Sequence, residues 1–561
     1  MASIRKHASG LAAFAALALV LTACSTSGGD GDSSGGGGEG TGGEGEGALI
    51  DADHSVGAME TFEAGTTFKA TEPVEFSLLY RDHPNYPVKE DWSILTHLEN
   101  DHNVTFSRTD IPLADWDQKK ALLIGAGDSA ELVPVTYPGQ ETQFVSGGAI
   151  LPVSDYLEYM PNFAQKIADW ELEDDVDTLR QADGKFYLLP GVREIPDVQY
   201  SVVIREDLWE NAGITEDPAT WDEYLEQLET VKEANPELTY AMSDRWTDTT
   251  TLGAFLNVVS PNFGASAGWG YNNTWFDAET GEFVFNGGSE GYKDLVTYAA
   301  GLVEAGVLDP EITQSDDQAT QKFISGQSAA ISGNTQELTA YRTKFADSGQ
   351  VDVPIRMIVI PDGPAGGNLS GSQLSSGIMI SSKAAEQPHF KALLQYVDWL
   401  YYSDEGIEFA QWGVEDETFT TTDGARALLP DITWNALNPG APKKLNADFG
   451  YSNGVFLLAN GSTKDLLQSV MSDEVKTWTD AVLAKKDTLP VSPAAQLDEL
   501  ELESTSLVDS QLKDAVQAQT AAFITGQRSL DTWDAYVKEM EGLGSTQLIT
   551  TYNGALARQA D

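Results

Sequence analysis

The stretch PVEFSLLYRDHPNYPVKEDWSILTHLENDHNVTFSR, residues 73–108, decides the fold class of this chain. Near its start, apolar side chains occupy every second position from Val74 to Leu78, as they do in a β-strand that faces a core. Residues 91–100 instead place apolar side chains three positions apart, which is the spacing of one helix face. Residues 103–108 return to a strand pattern, so the stretch predicts a strand–helix–strand unit.

The pattern continues toward the C-terminus. Residues 114–127 predict a helix that ends at Gly125 or Gly127, and residues 131–137 predict a third strand. Strands that alternate with helices form a parallel sheet with right-handed connections. We therefore predict an α/β fold with a doubly wound sheet at the start of the folded body.

Ligands of such sheets bind beyond the carboxyl ends of the strands. The first strand ends in Tyr80, Arg81 and Asp82, and the third ends at Tyr137. We predict that these four residues contact a ligand and that Tyr80 and Tyr137 are exposed to it. For Arg81 and Asp82, an ion pair with each other at a helix start is an equally good interpretation.

The N-terminus carries the pattern of an export signal. A basic start at Arg5 and Lys6 precedes an apolar run over residues 11–21, which is too short for a membrane-spanning helix of roughly 20 residues. Small residues then precede Cys24, and the segment LTAC resembles the lipobox of bacterial lipoproteins. The resemblance implies a signal peptide over residues 1–23 and a lipid attached to Cys24. An ordinary signal peptide with an incidental cysteine is the alternative.

A flexible tether is predicted to follow the cysteine, over residues 24–72. Its first part is almost entirely Gly, Ser, Asp and Glu, which bury too little apolar surface to fold. Because Cys24 is the only cysteine, no disulfide can form within the chain.

Composition excludes some partners and sets the number of domains. The 561 residues include 33 basic and 87 acidic side chains, for a net charge of −54. Nucleic-acid binding depends on Lys and Arg at phosphates, and anionic lipid surfaces also attract basic segments, so both partners are disfavoured. The length predicts at least two domains.

Several motifs lie in order along residues 73–430. They are DGKFYLLP (183–190), REDLWENAGI followed by PATWDEY (205–224), YKDLVTYAAGLVEAGVLDPE (292–311), FISGQSAAISGN (323–334) and SDEGIEFAQWGVEDETFT (403–420). Together they resemble the extracellular solute-binding proteins of ABC importers, in the sugar- and oligosaccharide-binding family. The last motif departs from the family pattern, since Asp416 replaces a Gly and Phe419 a Tyr.

The resemblance implies a periplasmic-binding-protein-like fold of two α/β lobes around a ligand cleft, joined by several chain crossings. We expect crossings near residues 200–204, 371–377 and 413–429. The first lobe then comprises residues 73–202 with 375–415, and the second comprises residues 203–374 with 430–561.

Sugars are bound by aromatic faces and by planar polar side chains in a concave site. Trp246 lies in a polar segment with Asp244 and Arg245, and Trp269 and Trp275 lie in a Gly- and Asn-rich segment. We predict these five residues as ligand contacts; local packing is the alternative, and Trp275 also begins a predicted hairpin.

Three further candidates come from the family motifs. The resemblance implies a ligand contact at Asn334, which follows a strand end. Trp412 and Glu415 flank a segment predicted to act as a hinge, so they either contact the ligand or brace the crossing.

Motifs for chemistry are missing from the sequence. It has no HExxH pair, no twelve-residue calcium loop, no phosphate-binding loop and no G-x-S-x-G elbow, so we predict no metal, no cofactor and no catalytic residue.

The resemblance favours a monomeric, lipid-anchored protein on the outer face of a Gram-positive cell membrane. It would capture a carbohydrate, with peptides a less favoured ligand, and deliver it to an ABC permease. Two alternatives stay open at this point: a secreted glycoside-acting enzyme, and a sensor of the same fold that takes no part in transport.

Overall fold

The computed structural model describes residues 49–196, 198–246, 251–370, 372–435, 437–457 and 460–560. The predicted signal peptide, Cys24 and the tether up to residue 48 lie outside the described residues.

Short strands are spread along the whole described chain. They are β1 (Val74–Asp82), β2 (Val104–Pro112), β3 (Leu132–Thr136), β4 (Leu189–Arg193), β5 (Tyr200–Arg205), β6 (Thr274–Asp277), β7 (Glu282–Phe285), β8 (Ala330–Asn334), β9 (Ile355–Met357), β10 (Asn368–Leu369), β11 (Leu374–Ile380), β12 (Phe419–Thr422), β13 (Ala425–Leu428), β14 (Ile432–Thr433), β15 (Lys443–Lys444), β16 (Gly461–Ser462) and β17 (Asp487–Thr488).

Helices alternate with these strands and make up most of the C-terminal region. They are α1 (Ser93–His102), α2 (Trp116–Gly125), α3 (Thr142–Val145), α4 (Pro161–Asp169), α5 (Glu173–Asp177), α6 (Glu206–Asn211), α7 (Trp221–Ala234), α8 (Gly253–Val259), α9 (Glu290–Glu304), α10 (Asp316–Ile324), α11 (Thr335–Asp347), α12 (Phe390–Tyr402), α13 (Asp404–Trp412), α14 (Gly454–Leu457), α15 (Lys464–Ser469), α16 (Asp473–Leu483), α17 (Glu499–Ile524), α18 (Trp533–Gly542) and α19 (Ser545–Ala560).

The predicted opening unit β1–α1–β2–α2–β3 is confirmed and builds one side of a six-stranded sheet. Its strand order is β16-β4-β11-β3-β1-β2. β1 runs parallel to both β2 and β3, whereas β11 runs antiparallel to β3 and β4. Apolar side chains of β1 alternate between two cores, since Phe76 and Leu78 pack on one face of the sheet and Leu79 packs on the other.

A second sheet has the order β8-β5-β9, and β5 is antiparallel to both neighbours. It lies in a separate core that extends from Val198 to Leu369 and continues from Trp478 to Leu548. The described chain therefore has two lobes, each with its own sheet and core. The second sheet is smaller than a doubly wound sheet and entirely antiparallel in its strand pairing, which the sequence patterns did not indicate.

The chain passes between the sheets close to two predicted crossings. One passage joins the end of β4 at Arg193 to the start of β5 at Tyr200, and another joins the end of β10 at Leu369 to the start of β11 at Leu374.

The boundary predicted at residue 430 needs correction. Ile432, Leu445 and Phe456 pack in the core of the first lobe, and β16 adds to the six-stranded sheet beside β4. The second core resumes only at Trp478. The last passage therefore follows Ser462, because the apolar side chains up to Phe456 are buried against the first lobe.

Residues 49–72, predicted as the end of a disordered tether, are instead ordered against the first lobe. Phe68 and Ala70 are fully buried in its core. The Val56 amide donates a hydrogen bond of 2.8 Å to the Pro388 carbonyl. We call residues 49–72 the strap. Its apolar side chains bury enough surface to order the backbone.

A search of the described helices finds none whose length and apolarity would suit a bilayer crossing.

Candidate functional site

Several predicted residues lie at the ends of the two sheets, where the chain passes between the lobes. In the first sheet, Gly377 of β11 pairs with Thr136 at the end of β3, and Leu374 pairs with Val192 near the end of β4. In the second sheet, Tyr200 at the start of β5 pairs with Asn334 at the end of β8. We call these two ends the first-lobe face and the second-lobe face.

Tyr137 is the exposed aromatic of the first-lobe face, with 51% of its surface accessible. It directly follows β3, and its backbone amide donates to Oε1 of Gln140 at 3.2 Å. The buried Lys120 ammonium donates to the same oxygen at 3.0 Å and so helps to fix the position of the loop. The predicted exposure of Tyr137 is confirmed.

Beneath the first-lobe face lie buried polar atoms that sequence reasoning missed. Thr136 Oγ1, Glu141 Oε2, Ser375 Oγ and Ser376 Oγ make no hydrogen bond with any described residue. Burial raises the pKa of the Glu141 carboxyl. Buried polar groups in proteins are nearly always paired with protein atoms or with ordered water, and each of these four atoms is enclosed by the protein, so they lie beneath the face and not on it. The only sequence signal was a carboxylate in the loop after a strand end.

Tyr80 does not face solvent, which corrects its predicted exposure. Its side chain is fully buried, and its hydroxyl accepts a hydrogen bond of 2.8 Å from the Asn453 amide. Residue 80 points into the core because it shares the face of β1 with Phe76 and Leu78.

Arg81 and Asp82 are half-buried at the end of β1. Oδ1 of Asp82 accepts from the Val88 amide at 2.9 Å, so this carboxylate closes the following turn. The described ion pairs do not include one between Arg81 and Asp82, whose side chains leave opposite faces of the strand. A ligand contact remains a prediction for both.

Trp269 is the exposed aromatic of the second-lobe face, with 39% of its surface accessible. Glycines on either side fix its position. Gly268 has a φ of +60°, and a Cβ there would collide with the Gly253 carbonyl at the start of α8. A Cβ on Gly270 would collide with the Asn257 side chain. The segment Gly268–Gly270 can therefore lie directly on α8 because residue 268 is glycine, and glycine at 270 leaves room for the Asn257 side chain.

Two side chains support the Trp269 ring. Tyr200 packs edge-on against it with ring centroids 5.5 Å apart, and the Arg245 guanidinium lies 5.8 Å from its centroid. Both contacts leave part of the indole free to meet a ligand.

Asp244 and Arg245 are too deeply buried to contact a ligand directly, which corrects their assignment. Arg245 donates to Glu337 Oε1, to the Ser332 carbonyl and to the Tyr341 hydroxyl, at 2.5, 2.9 and 2.8 Å. Asp244 accepts from the Ser332 hydroxyl at 2.8 Å. Burial raises the pKa of Asp244 to about 6, although the Arg245 charge acts in the opposite direction. The Arg245 guanidinium, held by these hydrogen bonds, packs against the Trp269 ring.

Asn334 is half-buried and caps a helix. Its Oδ1 accepts from the Glu337 amide at 2.7 Å, and its Nδ2 donates to the Tyr200 hydroxyl at 3.2 Å. Asn334 is thus joined to the same Tyr200 that packs on Trp269. Its ligand contact remains a prediction.

Trp246 and Trp275 differ from Trp269. Trp246 is buried in the second core and donates from Nε1 to the Asp309 carbonyl at 3.0 Å, so it is a packing residue, which corrects its prediction. Trp275 is half-buried in the β6–β7 hairpin opposite Val284, which confirms the hairpin and leaves its ligand role untested.

Trp412 and Glu415 belong to the first lobe. Trp412 is buried, and its Nε1 donates to Ser469 Oγ at 3.1 Å, which corrects its prediction as a ligand contact. Glu415 is exposed, and its carboxylate accepts from the Thr421 amide at 3.1 Å. Residues 413–429 stay in the first lobe, because Phe419 and Leu428 pack in its core. The crossing predicted there is therefore wrong, and Trp412 and Glu415 do not brace a passage between the lobes.

Within the part of the chain that the structure describes, no three His, Cys, Asp or Glu side chains are grouped so that they could hold a metal ion.

Comparison with known proteins gives the family. The model of the family described as bacterial extracellular solute-binding protein matches residues 85–405, which is more than half of the chain.

Similar proteins are found both by sequence and by fold. The fructooligosaccharide ABC transporter substrate-binding protein FusA of Streptococcus pneumoniae serotype 4 (strain ATCC BAA-334 / TIGR4) is 22% identical over 514 residues, which cover 86% of this chain and 89% of FusA. The structure of the S. pneumoniae protein in complex with kestose has a TM-score of 0.62 at 18% identity and covers 87% of this chain and 100% of that one. A human-milk-oligosaccharide (HMO) binding protein associated with an ABC transporter of Bifidobacterium longum infantis ATCC 15697 has a TM-score of 0.64 at 17% identity, with 86% and 98% covered.

Proposed function

The chain belongs to the bacterial extracellular solute-binding proteins, and from this we propose that it captures an oligosaccharide and delivers it to the permease of an ABC importer. The ligand is bound between the two lobes and released unchanged. The protein is therefore a carrier with no catalytic residues.

One observation carries the proposal. Among the tryptophan and tyrosine side chains of the described residues, only Tyr137 and Trp269 are exposed. One lies on the first-lobe face and the other on the second-lobe face, at the sheet ends joined by the chain passages. Aromatic plates suit the C–H faces of sugar rings, and a binding site needs a few polar groups beside such plates.

The polar groups are present on both faces. Arg81 is half-buried at the end of β1, and the half-buried Asn334 lies near Trp269 through Tyr200. We assign hydroxyl recognition to Arg81 and Asn334. Closure of the two lobes about the passages near Arg193 and Leu374 would bring the two faces onto one ligand.

The names of the relatives support an oligosaccharide rather than a single sugar. FusA is described as a fructooligosaccharide-binding protein and was solved with kestose, and the Bifidobacterium protein is described as binding milk oligosaccharides. At these levels of identity they support the ligand class, and the particular sugar must be measured.

We further propose that the protein is anchored outside the cell by a lipid on Cys24. The basic start, the apolar run and the small residues before Cys24 support this assignment, as does membership of an extracellular family. A monomer on a Gly-rich tether could then reach a permease in the same membrane.

The test is a thermal-shift screen over mono- and oligosaccharides, followed by calorimetry and by chromatography of the recovered ligand. A true ligand at 100 times its dissociation constant stabilises the native state by about 2.7 kcal/mol. We expect binding without any change to the saccharide. Steady cleavage would instead indicate a glycoside-acting enzyme, and binding with no uptake defect on gene deletion would indicate a sensor.

The variants Trp269→Ala and Trp246→Ala separate the binding face from the core. Trp269→Ala should weaken binding by about 2 kcal/mol, roughly thirtyfold, with little change in the melting temperature of the free protein. Trp246→Ala should instead lower the stability of the free protein by about 3–5 kcal/mol, because its buried indole leaves a cavity. Equal effects of the two variants on binding and on stability would contradict the proposed site.

A further inference from the structure

A cavity of about 300 Å³ opens beside Trp269 in the second lobe. It is lined by Thr251, Leu256, Gly268, Trp269, Tyr271, Tyr292, Lys513, Val516, Gln517 and Thr520. None of the predicted ligand residues except Trp269 lines it, so the cavity was not part of the site described above.

One wall of the cavity is a single face of the long C-terminal helix α17. Lys513, Val516, Gln517 and Thr520 are spaced three, four and seven positions from the first, which places all four on the same side of the helix. The opposite wall comes from Leu256 of α8 and from the segment that carries Trp269. The cavity thus joins the C-terminal helices to the binding face.

Trp269 is shared between the binding face and the cavity. Its ring contacts Tyr200 and lies near Arg245 at the sheet end, and the same residue lines the cavity. Trp269 is therefore the residue that the binding face and the cavity have in common.

The chemistry of the lining suits a sugar ring. Tyr271 and Tyr292 supply aromatic surface, with ring centroids 5.7 Å apart. The Tyr292 hydroxyl is hydrogen-bonded to Thr520 Oγ1 at 2.8 Å. This bond fixes the positions of both hydroxyl groups in the lining. At the rim, the Lys513 ammonium is paired with Asp509 at 3.1 Å and is half-exposed. The volume is at the lower end of the range for small-molecule pockets.

We propose that this cavity is a subsite for one terminal sugar unit and that α17 thereby sets the preferred length of the bound oligosaccharide. This inference rests on the proposed function. It predicts that affinity rises at one step of a length series, when the chain becomes long enough to pass Trp269 and enter the cavity.

The experiment fills the cavity and measures affinity along a length series. Gln517→Trp places a bulky ring in the lining, and Ala518→Trp places the same ring one position away on an exposed part of α17. Calorimetry is performed with the di-, tri-, tetra- and pentasaccharides of whichever series, fructo-, milk or malto-oligosaccharides, gives the largest thermal shift. We expect one length step that gains roughly tenfold in the wild type and in Ala518→Trp but is lost in Gln517→Trp, whose affinity for the shorter saccharide is unchanged.

The outcomes separate this inference from the proposed function. If no saccharide binds the wild type, both fail. If saccharides bind through Trp269 but Gln517→Trp keeps the gain with length, or if the wild type shows no gain, the subsite is overturned and the carrier function stands. Lys513→Trp, at the exposed rim of the cavity, is the second filling variant if Gln517→Trp does not fold; a retained gain in that variant also overturns the subsite.

Discussion

The two faces present an exposed aromatic side chain in different ways. On the second-lobe face, Trp269 is held between two glycines against α8 and is backed by the paired charges of Arg245 and Glu337. On the first-lobe face, Tyr137 lies in an open loop, and nearby oxygens such as Glu141 Oε2 are buried without a partner. The second-lobe face is therefore a closely packed platform, whereas the first-lobe face carries its aromatic side chain on a loop with open space around Gly139.

The largest expected effect comes from removing the positive charge of Arg245, which packs against Trp269. Arg245→Met leaves Glu337 and the fully buried Asp244 without their cation, and loss of one partner in a buried ion network costs about 3–5 kcal/mol. Urea unfolding measures the loss. The matched control is Arg342→Met, because Arg342 pairs with Glu474 at the surface and such pairs contribute about 0–1 kcal/mol. Equal losses would show that the Arg245 network does not support the lobe.

A second test compares the two loops through one glycine in each. Gly268→Ala should cost about 2–5 kcal/mol, because it combines left-handed backbone strain with a collision against Gly253. Gly139 in the Tyr137 loop also has a positive φ, of +90°, but a Cβ there meets no atom within 4 Å. Gly139→Ala should therefore cost only about 1–2 kcal/mol, from strain alone. Thermal unfolding of both variants gives the comparison, and a larger loss for Gly139→Ala would contradict the description of the loops.

The smallest effect is expected at Glu141. Because burial raises the pKa of this carboxyl above its usual value, the folded state holds the proton more tightly than the unfolded state does. Its contribution to stability is complete below the unfolded pKa and is lost as the pH rises through the folded pKa. The melting temperature of Glu141→Gln should therefore gain on that of the wild type as the pH rises from 4 to 7.

Glu415→Gln is the control, since that carboxylate is exposed and accepts a hydrogen bond from the Thr421 amide. A difference in melting temperature between Glu141→Gln and the wild type that does not change with pH would contradict the raised pKa of Glu141.

Sequence patterns predicted the first lobe well because its signals are local. Alternation in β1, the apolar helix face in α1 and the glycines after α2 each depend on neighbouring residues, and the parallel pairing of β1 with β2 follows from chain geometry. That residues 432–462 stay in the first lobe had no such signal, because a short strand such as β16 is stabilised by its partner β4 and by few residues of its own.

Site residues were predicted less well, for a physical reason. Trp246 and Trp269 both lie in polar or Gly-rich segments, and only the packing of distant elements makes one a core residue and the other exposed. Tyr80 lies near the end of β1 and Tyr137 follows β3 of the same sheet, but the pleat turns Tyr80 into the core. The burial of Glu141 could not be predicted either, because it arises only when β11 packs beside β3 and the loop that follows β3.

The strap has a mechanical consequence for a moored protein. Phe68 and Ala70 fasten residues 49–72 to the first lobe, so a force applied at the anchor proposed for Cys24 would act on that lobe. The second lobe, with its platform and the C-terminal helices, would then be the part that moves when the protein closes.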